Sequence, residues 1–169
     1  MKEIDAQALW QARGPAFFRE LSTFGALSDR VVRRILVEGR VLQLDRGEVL
    51  YRAGDAVQSF YVVLRGSLSM YVCDEDHYAL ARRHLQGEQL GFVPMIGLHD
   101  HTATAVGAED ETLLVEISAD QFYELHVSEP DDFGLLLLNL AREMARAIGA
   151  LSRTIVELSL QMQKGRQPG

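Results

Sequence analysis

Apolar positions repeat with two different periods along this chain of 169 residues. In residues 1–40, and again from Ala119, they recur at the three-to-four spacing of an amphipathic helix. Between residues 41 and 118 they tend to alternate every second residue, as in half-buried strands. The pattern predicts an N-terminal helical segment over 1–40, a β region over 41–118 and C-terminal helices over 119–163.

Two local signals divide the N-terminal segment. Pro15 suits an early helical position ahead of the apolar residues Phe17 and Phe18. Ser28 is typical of an N-cap, and the apolar residues that follow it begin at Val31. We therefore expect a second helix to start next to Ser28.

The β region contains short apolar runs separated by glycine turns at intervals of roughly eight to twelve residues. Such spacing is typical of a β-sandwich or jelly roll. The predicted strands cover residues 41–44, 49–51, 60–64, 68–72, 78–85, 102–106 and 112–117.

Pro130 separates a short helix from a long one that is predicted to end near Gln163, followed by a disordered tail over 164–169. The long helix carries apolar residues at alternating spacings of four and three, the pattern of a coiled-coil seam. These seam residues are Met144, Ile148, Leu151, Ile155, Leu158 and Met162. The pattern predicts a parallel homodimer; the alternative is that the whole helix packs within one chain.

Composition narrows the functional classes. The net charge of −7 disfavours general attraction to nucleic-acid phosphates, and the single cysteine, Cys73, allows no disulfide or thiolate metal site within one chain. The N-terminus lacks the pattern of a signal peptide, and the longest apolar run, 135–138, is too short to cross a membrane, so we expect a cytoplasmic chain. Neither a nucleophile triad nor a phosphate loop with lysine is present, so we expect no catalytic residues and no enzyme.

Residues 47–55 (GEVLYRAGD) and 60–68 (FYVVLRGSL) resemble the front half of the cyclic-nucleotide-binding domain family, which includes the sensor domain of the catabolite activator protein. The resemblance extends over roughly residues 16–163. It implies an α+β, mainly β fold: an eight-stranded jelly roll with N-terminal helices and a long C-terminal dimerisation helix.

The resemblance also places the family's phosphate-binding cassette at residues 87–108. Gly87 and Gly91 occupy the glycine positions of its turn. Phe92 stands where ligand-binding members have a glutamate for the ribose, and Thr102, beside His101, stands where they have an arginine for the phosphate. We therefore expect that cyclic AMP and cyclic GMP are not bound in the usual way.

Two interpretations of the altered cassette remain open. Phe92, Val93, Pro94, Met95 and Ile96 fill the pocket with apolar side chains, or the pocket takes another small molecule, such as a cyclic dinucleotide. In the second case the candidate binding residues are Gly87, Glu88, Gly91, Phe92, Val93, His101, Thr102, Ala103 and Thr104.

Further positions bear on this choice. Ala147 and Ile148 stand where family transcription factors carry hydroxyl residues that meet the base. Glu88, His99 and His101 suggest a metal or haem site, and His101 alone suggests a cation that forms below neutral pH; we expect neither, and no metal or cofactor.

These observations predict a non-enzymatic regulatory domain that forms a homodimer and acts on an unidentified protein partner. A small-molecule sensor is the alternative. A winged helix-turn-helix follows the long helix in family transcription factors; here six residues follow, so we do not expect DNA binding.

Overall fold

A computed structural model of the protein describes residues 1–74 and 77–165. Within those residues the chain forms nine strands and five helices, with one 3₁₀ turn at Ser22–Phe24. The strands are β1 (Lys2–Ile4), β2 (Arg40–Leu44), β3 (Val49–Tyr51), β4 (Ser59–Arg65), β5 (Ser67–Asp74), β6 (His77–Leu85), β7 (Gln89–Leu90), β8 (Thr104–Gly107) and β9 (Thr112–Ser118). The helices are α1 (Ala6–Arg19), α2 (Asp29–Glu38), α3 (Phe92–Gly97), α4 (Ala119–Ser128) and α5 (Pro130–Gly165).

The strands form two antiparallel sheets, as expected for a jelly roll. One sheet has the order β1-β2-β9-β4-β7 and the other β3-β8-β5-β6. Alternating side chains of the first sheet face opposite sides: on β9, Leu113 and Val115 pack against the helices, whereas Leu114 packs between the sheets. The mainly β fold with N-terminal helices and a long C-terminal helix is confirmed.

The prediction that residues 1–40 are entirely helical is wrong at the N-terminus. Lys2–Ile4 forms β1, which pairs antiparallel with β2 and places Ile4 opposite Val41. The side chain of Asp5 accepts hydrogen bonds from the backbone N–H groups of Gln7 and Ala8, so the helix begins only after this cap. The described chain therefore has nine strands instead of the expected eight.

The N-terminal helices follow the predicted signals. Gly14 interrupts α1 with a left-handed φ of 71°, and Pro15 begins the part that buries Phe18. Ser28 caps α2 by accepting a hydrogen bond from the N–H of Val31.

Helix α5 has two parts with different surroundings. Its first part packs on the domain, where Leu136 and Leu140 are fully buried. From residue 150 to residue 163 every side chain is exposed. The helix extends to Gly165, two residues beyond the predicted end near Gln163; the rest of the predicted tail, residues 166–169, lies outside the described part.

In the described ranges, no helix combines the length and apolar character that crossing a membrane requires.

Candidate functional site

The glycine turn at the start of the cassette is held against the 3₁₀ turn of residues 22–24. Gly87 adopts a φ of +87°, and a Cβ at this position would lie 2.8 Å from the backbone nitrogen of Ser22. The Gly87 carbonyl oxygen accepts a hydrogen bond from the N–H of Thr23 at 3.1 Å. Only glycine combines this backbone conformation with so close an approach.

Buried Glu143 ties helix α5 to the same turn. The hydroxyls of Ser22 and Thr23 each lie within hydrogen-bond distance of two acceptors, Glu143 Oε1 and the Gly87 carbonyl oxygen. Since each hydroxyl has one proton, the two hydroxyls can donate one hydrogen bond to each of these oxygens. Glu143 Oε2 accepts a third hydrogen bond, from the N–H of Gln89 at 3.0 Å. The carboxylate thereby joins α5, the 3₁₀ turn and β7.

Phe92 points into the helical core. Gly91, with a φ of +82°, starts the short helix α3 and turns the chain after β7. The ring of Phe92 is fully buried, with centroid distances of 5.2 Å to Phe60 and 5.5 Å to Phe122. Met95 packs in the same cluster, while Val93 and Ile96 remain half-exposed.

A cavity of about 250 Å³ remains open where the cassette, the four-stranded sheet and α5 meet. Of the five apolar residues expected to fill this pocket, Phe92 and Met95 pack in the helical core instead, whereas Val93 and Pro94 form part of the cavity wall. The residues that line the cavity are Tyr51, Met70, Arg82, His84, Gln89, Leu90, Gly91, Val93, Pro94, His99, His101, Thr102, Ala103, Glu143, Met144 and Ala147.

Five of the nine candidate binding residues line this cavity: Gly91, Val93, His101, Thr102 and Ala103. The other four serve the surrounding structure. Gly87 and Phe92 have the roles described above. Glu88 accepts a hydrogen bond from the N–H of Leu85, and Thr104 accepts one from the N–H of Ala53.

His101 is a buried ring with little tendency to carry charge. It stacks on Tyr51 with ring centroids 3.5 Å apart and planes 9° apart. Burial lowers its pKa, an effect that Asp55 and Asp100 partly oppose. The hypothesis of a cation forming near neutral pH is therefore not supported. Within the described residues, no three metal-ligating side chains come together to hold an ion.

The two charged side chains of the cavity wall, Arg82 and Glu143, both interact with other groups of the protein. Among the lining residues that the structure describes, Arg82 is the only lysine or arginine, and it pairs with Glu88 at 3.4 Å. Glu143 has the hydrogen bonds described above. At the position of the family's arginine, Thr102 presents a hydroxyl on an exposed loop.

His84 is a buried histidine of the cavity wall. Its side chain is 5% exposed, and neither ring nitrogen makes a hydrogen bond of good geometry within the described residues. Burial lowers its pKa to about 4; Arg82 adds to the shift, whereas Glu88 and a backbone contact with Gln89 oppose it. The ring is therefore uncharged at neutral pH.

Sequence reasoning missed His84 and Arg82, although a signal was present. The two are separated by one residue on β6, and neighbours at that spacing share a face of a strand. They stand opposite Leu68 and Met70 of β5. Leu68 is fully buried, which identifies the face that points into the roll.

The six residues of the predicted dimer seam have different surroundings: one lines the cavity and five lie on the surface. Met144 is partly buried against the core and lines the cavity. Ala147 lines the cavity as its place in the family pattern suggests, whereas Ile148 does not. Ile148, Leu151, Ile155, Leu158 and Met162 are each more than half exposed.

The chain is similar to parts of longer proteins. It is 29% identical over 107 residues to "Lysophospholipase NTE1" of Cryptococcus neoformans, a match that covers 63% of this chain and 6% of that protein. It is 26% identical over 118 residues to "cAMP-activated global transcriptional regulator CRP" of Pasteurella multocida, covering 69% of this chain and 54% of the relative.

Among solved structures, a cyclic nucleotide-binding domain from Methylobacillus flagellatus superimposes with a TM-score of 0.76 at 18% identity, covering 92% of this chain and 88% of that one. This likeness supports the fold alone. The family model of the cyclic nucleotide-binding domain matches residues 41–129, just over half of the chain. The chain therefore belongs to the cyclic nucleotide-binding domain family.

Proposed function

We propose that this chain is a non-enzymatic regulatory domain that forms a parallel homodimer through the second half of α5 and acts through contacts with a protein partner. The observation that carries the proposal is the exposed apolar seam of Ile148, Leu151, Ile155, Leu158 and Met162. Exposed apolar surface of this extent marks an interaction site. A second copy of the same helix matches its spacing.

The seam and the cavity share one helix, which supports a regulatory role. Met144 and Ala147 line the cavity, and the exposed seam begins at the next residue, Ile148. A change in the cavity therefore acts directly on the end of the helix that forms the proposed interface.

Light scattering after size exclusion tests the dimer. At micromolar concentration we expect a mass twice the 18.9 kDa of the chain. Ile155→Asp places a charge in the seam and should yield the monomer, because a buried unpaired charge is costly. Leu160→Asp is the matched control: Leu160 is equally apolar and exposed but lies on the opposite face of the helix. A monomeric wild type, or an Ile155→Asp variant that remains dimeric, contradicts the proposal.

We further propose that the cavity does not bind cyclic AMP or cyclic GMP, although the Pasteurella relative is named as cAMP-activated. A cyclic phosphate is anionic, and charge-assisted hydrogen bonds contribute roughly 1.5–3 kcal/mol each. Here the arginine position holds Thr102, Arg82 is paired with Glu88, and the carboxylate of Glu143 lines the wall. The loss of two such contacts weakens binding by about two to four orders of magnitude.

Titration calorimetry with cyclic AMP and cyclic GMP tests this second part. We expect no saturable heat below about 1 mM ligand. The control variant Ala147→Trp fills the cavity from α5 without requiring a left-handed backbone. Micromolar binding by the wild type that disappears in Ala147→Trp would show that the cavity is a cyclic-nucleotide site after all.

A further inference from the structure

We propose that a second recess, at one end of the jelly roll, binds an alkylammonium group through the carboxylates of Asp55 and Glu116 and the hydroxyl of Tyr51. This end recess has a volume of about 210 Å³. It is distinct from the cavity beside α5, with which it shares only Tyr51 and His101. Binding in the end recess does not depend on the proposed dimer.

The end recess lies where β3 and β9 end and β4 and β8 begin. Tyr61 of β4 stands opposite Glu116 of β9 in the strand register. Tyr51 of β3 belongs to the apolar cluster between the sheets, and its ring centroid lies 6.0 Å from that of Tyr61. The polar groups of the recess therefore come from both sheets, which hold them in place.

The first argument is the hydroxyl of Tyr51. The side chain is only 7% exposed, and its hydroxyl makes no hydrogen bond to the residues that the structure describes. Solvent reaches this oxygen, in contrast to the ring nitrogens of His84. Burial raises the pKa of Tyr51, so the hydroxyl keeps its proton and can donate and accept at neutral pH.

The Tyr51 hydroxyl faces the end recess. Burial raises the pKa of Tyr61, and Glu116 and Tyr51 add to this shift, so the two phenol groups lie near each other. The Tyr61 hydroxyl in turn lies 3.3 Å from Glu116 Oε1. The unused hydroxyl of Tyr51 therefore stands next to a carboxylate that lines the same recess.

The second argument is the charge of the wall. Among the described lining residues two are acids, Asp55 and Glu116, and none is a lysine or arginine. Glu116 pairs with Arg40 outside the recess, but the same guanidinium also pairs with Glu3, each at 3.1 Å. Three carboxylates thus accompany one positive charge, and the lowered pKa of the buried His101 adds no second one. A cation is attracted here and an anion is repelled.

The third argument is the acceptor capacity that remains. Asp55 Oδ2 accepts a hydrogen bond from the N–H of Arg52 at 2.7 Å, and the other oxygen of Asp55 has no hydrogen bond within the described residues. The 3.3 Å contact of Glu116 with Tyr61 is long for a hydroxyl donor. A primary ammonium has three donors and no acceptor, as in lysine. Asp55, Glu116 and the Tyr51 hydroxyl can each accept one of its hydrogen bonds.

Four-carbon probes of similar shape and different charge test the inference at pH 7: butylamine, which is a cation at this pH, butan-1-ol and butyrate. We expect saturable butylamine binding with a Kd of about 1–10 mM, followed by nuclear magnetic resonance chemical shifts. Its affinity should be at least about fivefold higher than that of butan-1-ol, and butyrate should not bind. Added salt should weaken the binding, because Asp55 is exposed.

Variants assign the binding to the end recess. Tyr51→Phe removes one hydroxyl that has no hydrogen bond, so the protein should fold and bind butylamine at least about threefold more weakly. Glu116→Gln removes a charge at constant shape and should weaken binding at least about fivefold. Tyr123→Phe, at an exposed tyrosine of α4, is the matched control and should bind like the wild type. Ala147→Trp fills the other cavity and should also leave the binding unchanged.

A further probe distinguishes two sources of the ammonium group. Nα-acetyl-lysine amide carries the same four-carbon amine on a peptide backbone. If it binds at least as tightly as butylamine, the end recess accepts a lysine side chain of a partner protein. If only butylamine binds, the natural ligand is a small free amine. Both results agree with the proposal.

Three results would overturn it: no saturable butylamine binding, equal affinity for butan-1-ol or butyrate, or an unchanged affinity in Tyr51→Phe. Loss of butylamine binding in Ala147→Trp would also overturn it, because the ligand would then occupy the cavity beside α5. Light scattering on the same samples reports the dimer separately. A monomer that binds butylamine contradicts only the proposed function, and a dimer that does not bind it contradicts only the ammonium site.

Discussion

At the scale of single residues, Phe92 shows how one substitution changes both a pocket and a core. The family resemblance places it at a position where ligand-binding members have a polar side chain. Because the ring is apolar, it turns away from the cavity and joins Phe60 and Phe122 in the helical core. The cavity thus loses a hydrogen-bonding group without gaining a side chain that fills it.

His84 should make the protein sensitive to acid. Its pKa is about 4 in the folded protein and near 6.5 in an unfolded chain, so the unfolded chain binds more protons between these values. The contribution of the uncharged His84 ring to the free energy of unfolding is fully present above about pH 6.5. It is lost as the pH falls towards 4. The side chain is 5% exposed, so solvent screening is small and the loss amounts to about 3 kcal/mol.

Urea unfolding at pH 7 and pH 4.5 measures this effect. The variant His84→Leu should show a weaker fall in stability between these pH values than the wild type, whereas His77→Leu should keep the full dependence because His77 is exposed. The same pH dependence in His84→Leu and the wild type would mean that His84 titrates normally.

At the scale of elements, α5 performs two tasks because its surroundings change along its length. Its first part is anchored in the domain through Leu136, Leu140 and Glu143, and its second part is exposed. The heptad spacing of its apolar residues was visible in the sequence. The carboxylate that anchors it was not, because hydrogen bonds to residues far apart in the chain leave no local pattern.

Glu143→Ala should destabilise the protein by about 2–3 kcal/mol, because the buried N–H of Gln89 and the hydroxyl of Thr23 lose a charged acceptor. The control is Glu157→Ala, an exposed glutamate on the same helix, which should change stability by less than about 0.5 kcal/mol. Chemical unfolding gives both values. If the two substitutions lower the free energy of unfolding by the same amount, the hydrogen bonds of Glu143 make no net contribution to stability.

The short strands mark the limit of pattern-based prediction at this scale. Seven runs of alternating residues correspond to seven strands of the structure, with small differences in their ends. The three-residue β1 and the two-residue β7 are too short to show a period. Their pairing depends on β2 and β4, which offer them a free edge.

At the scale of the whole molecule, the fold was largely predictable, but only the cassette side of the cavity was. Two changes of period separate the helical segments from the jelly roll, apart from β1 at the N-terminus. The cavity wall, in contrast, combines Tyr51, two positions of β6, the cassette and α5. Tyr51, Arg82 and His84 look ordinary in their own segments. Their chemistry emerges only when the two sheets and α5 are packed together.

The contacts of Glu143 also determine which parts of the domain can form early during folding and which form late. It lies 120 residues after Thr23 and 54 after Gln89, so the three groups can meet only when nearly all of the domain has been synthesised. Contacts so distant in sequence form slowly, since a long loop must close before they contribute. While the chain is still on the ribosome, the hairpin of β5 and β6 can pair without α5. The glycine turn and the cavity are therefore the last parts of the domain to mature, and a nascent chain has no binding site to offer.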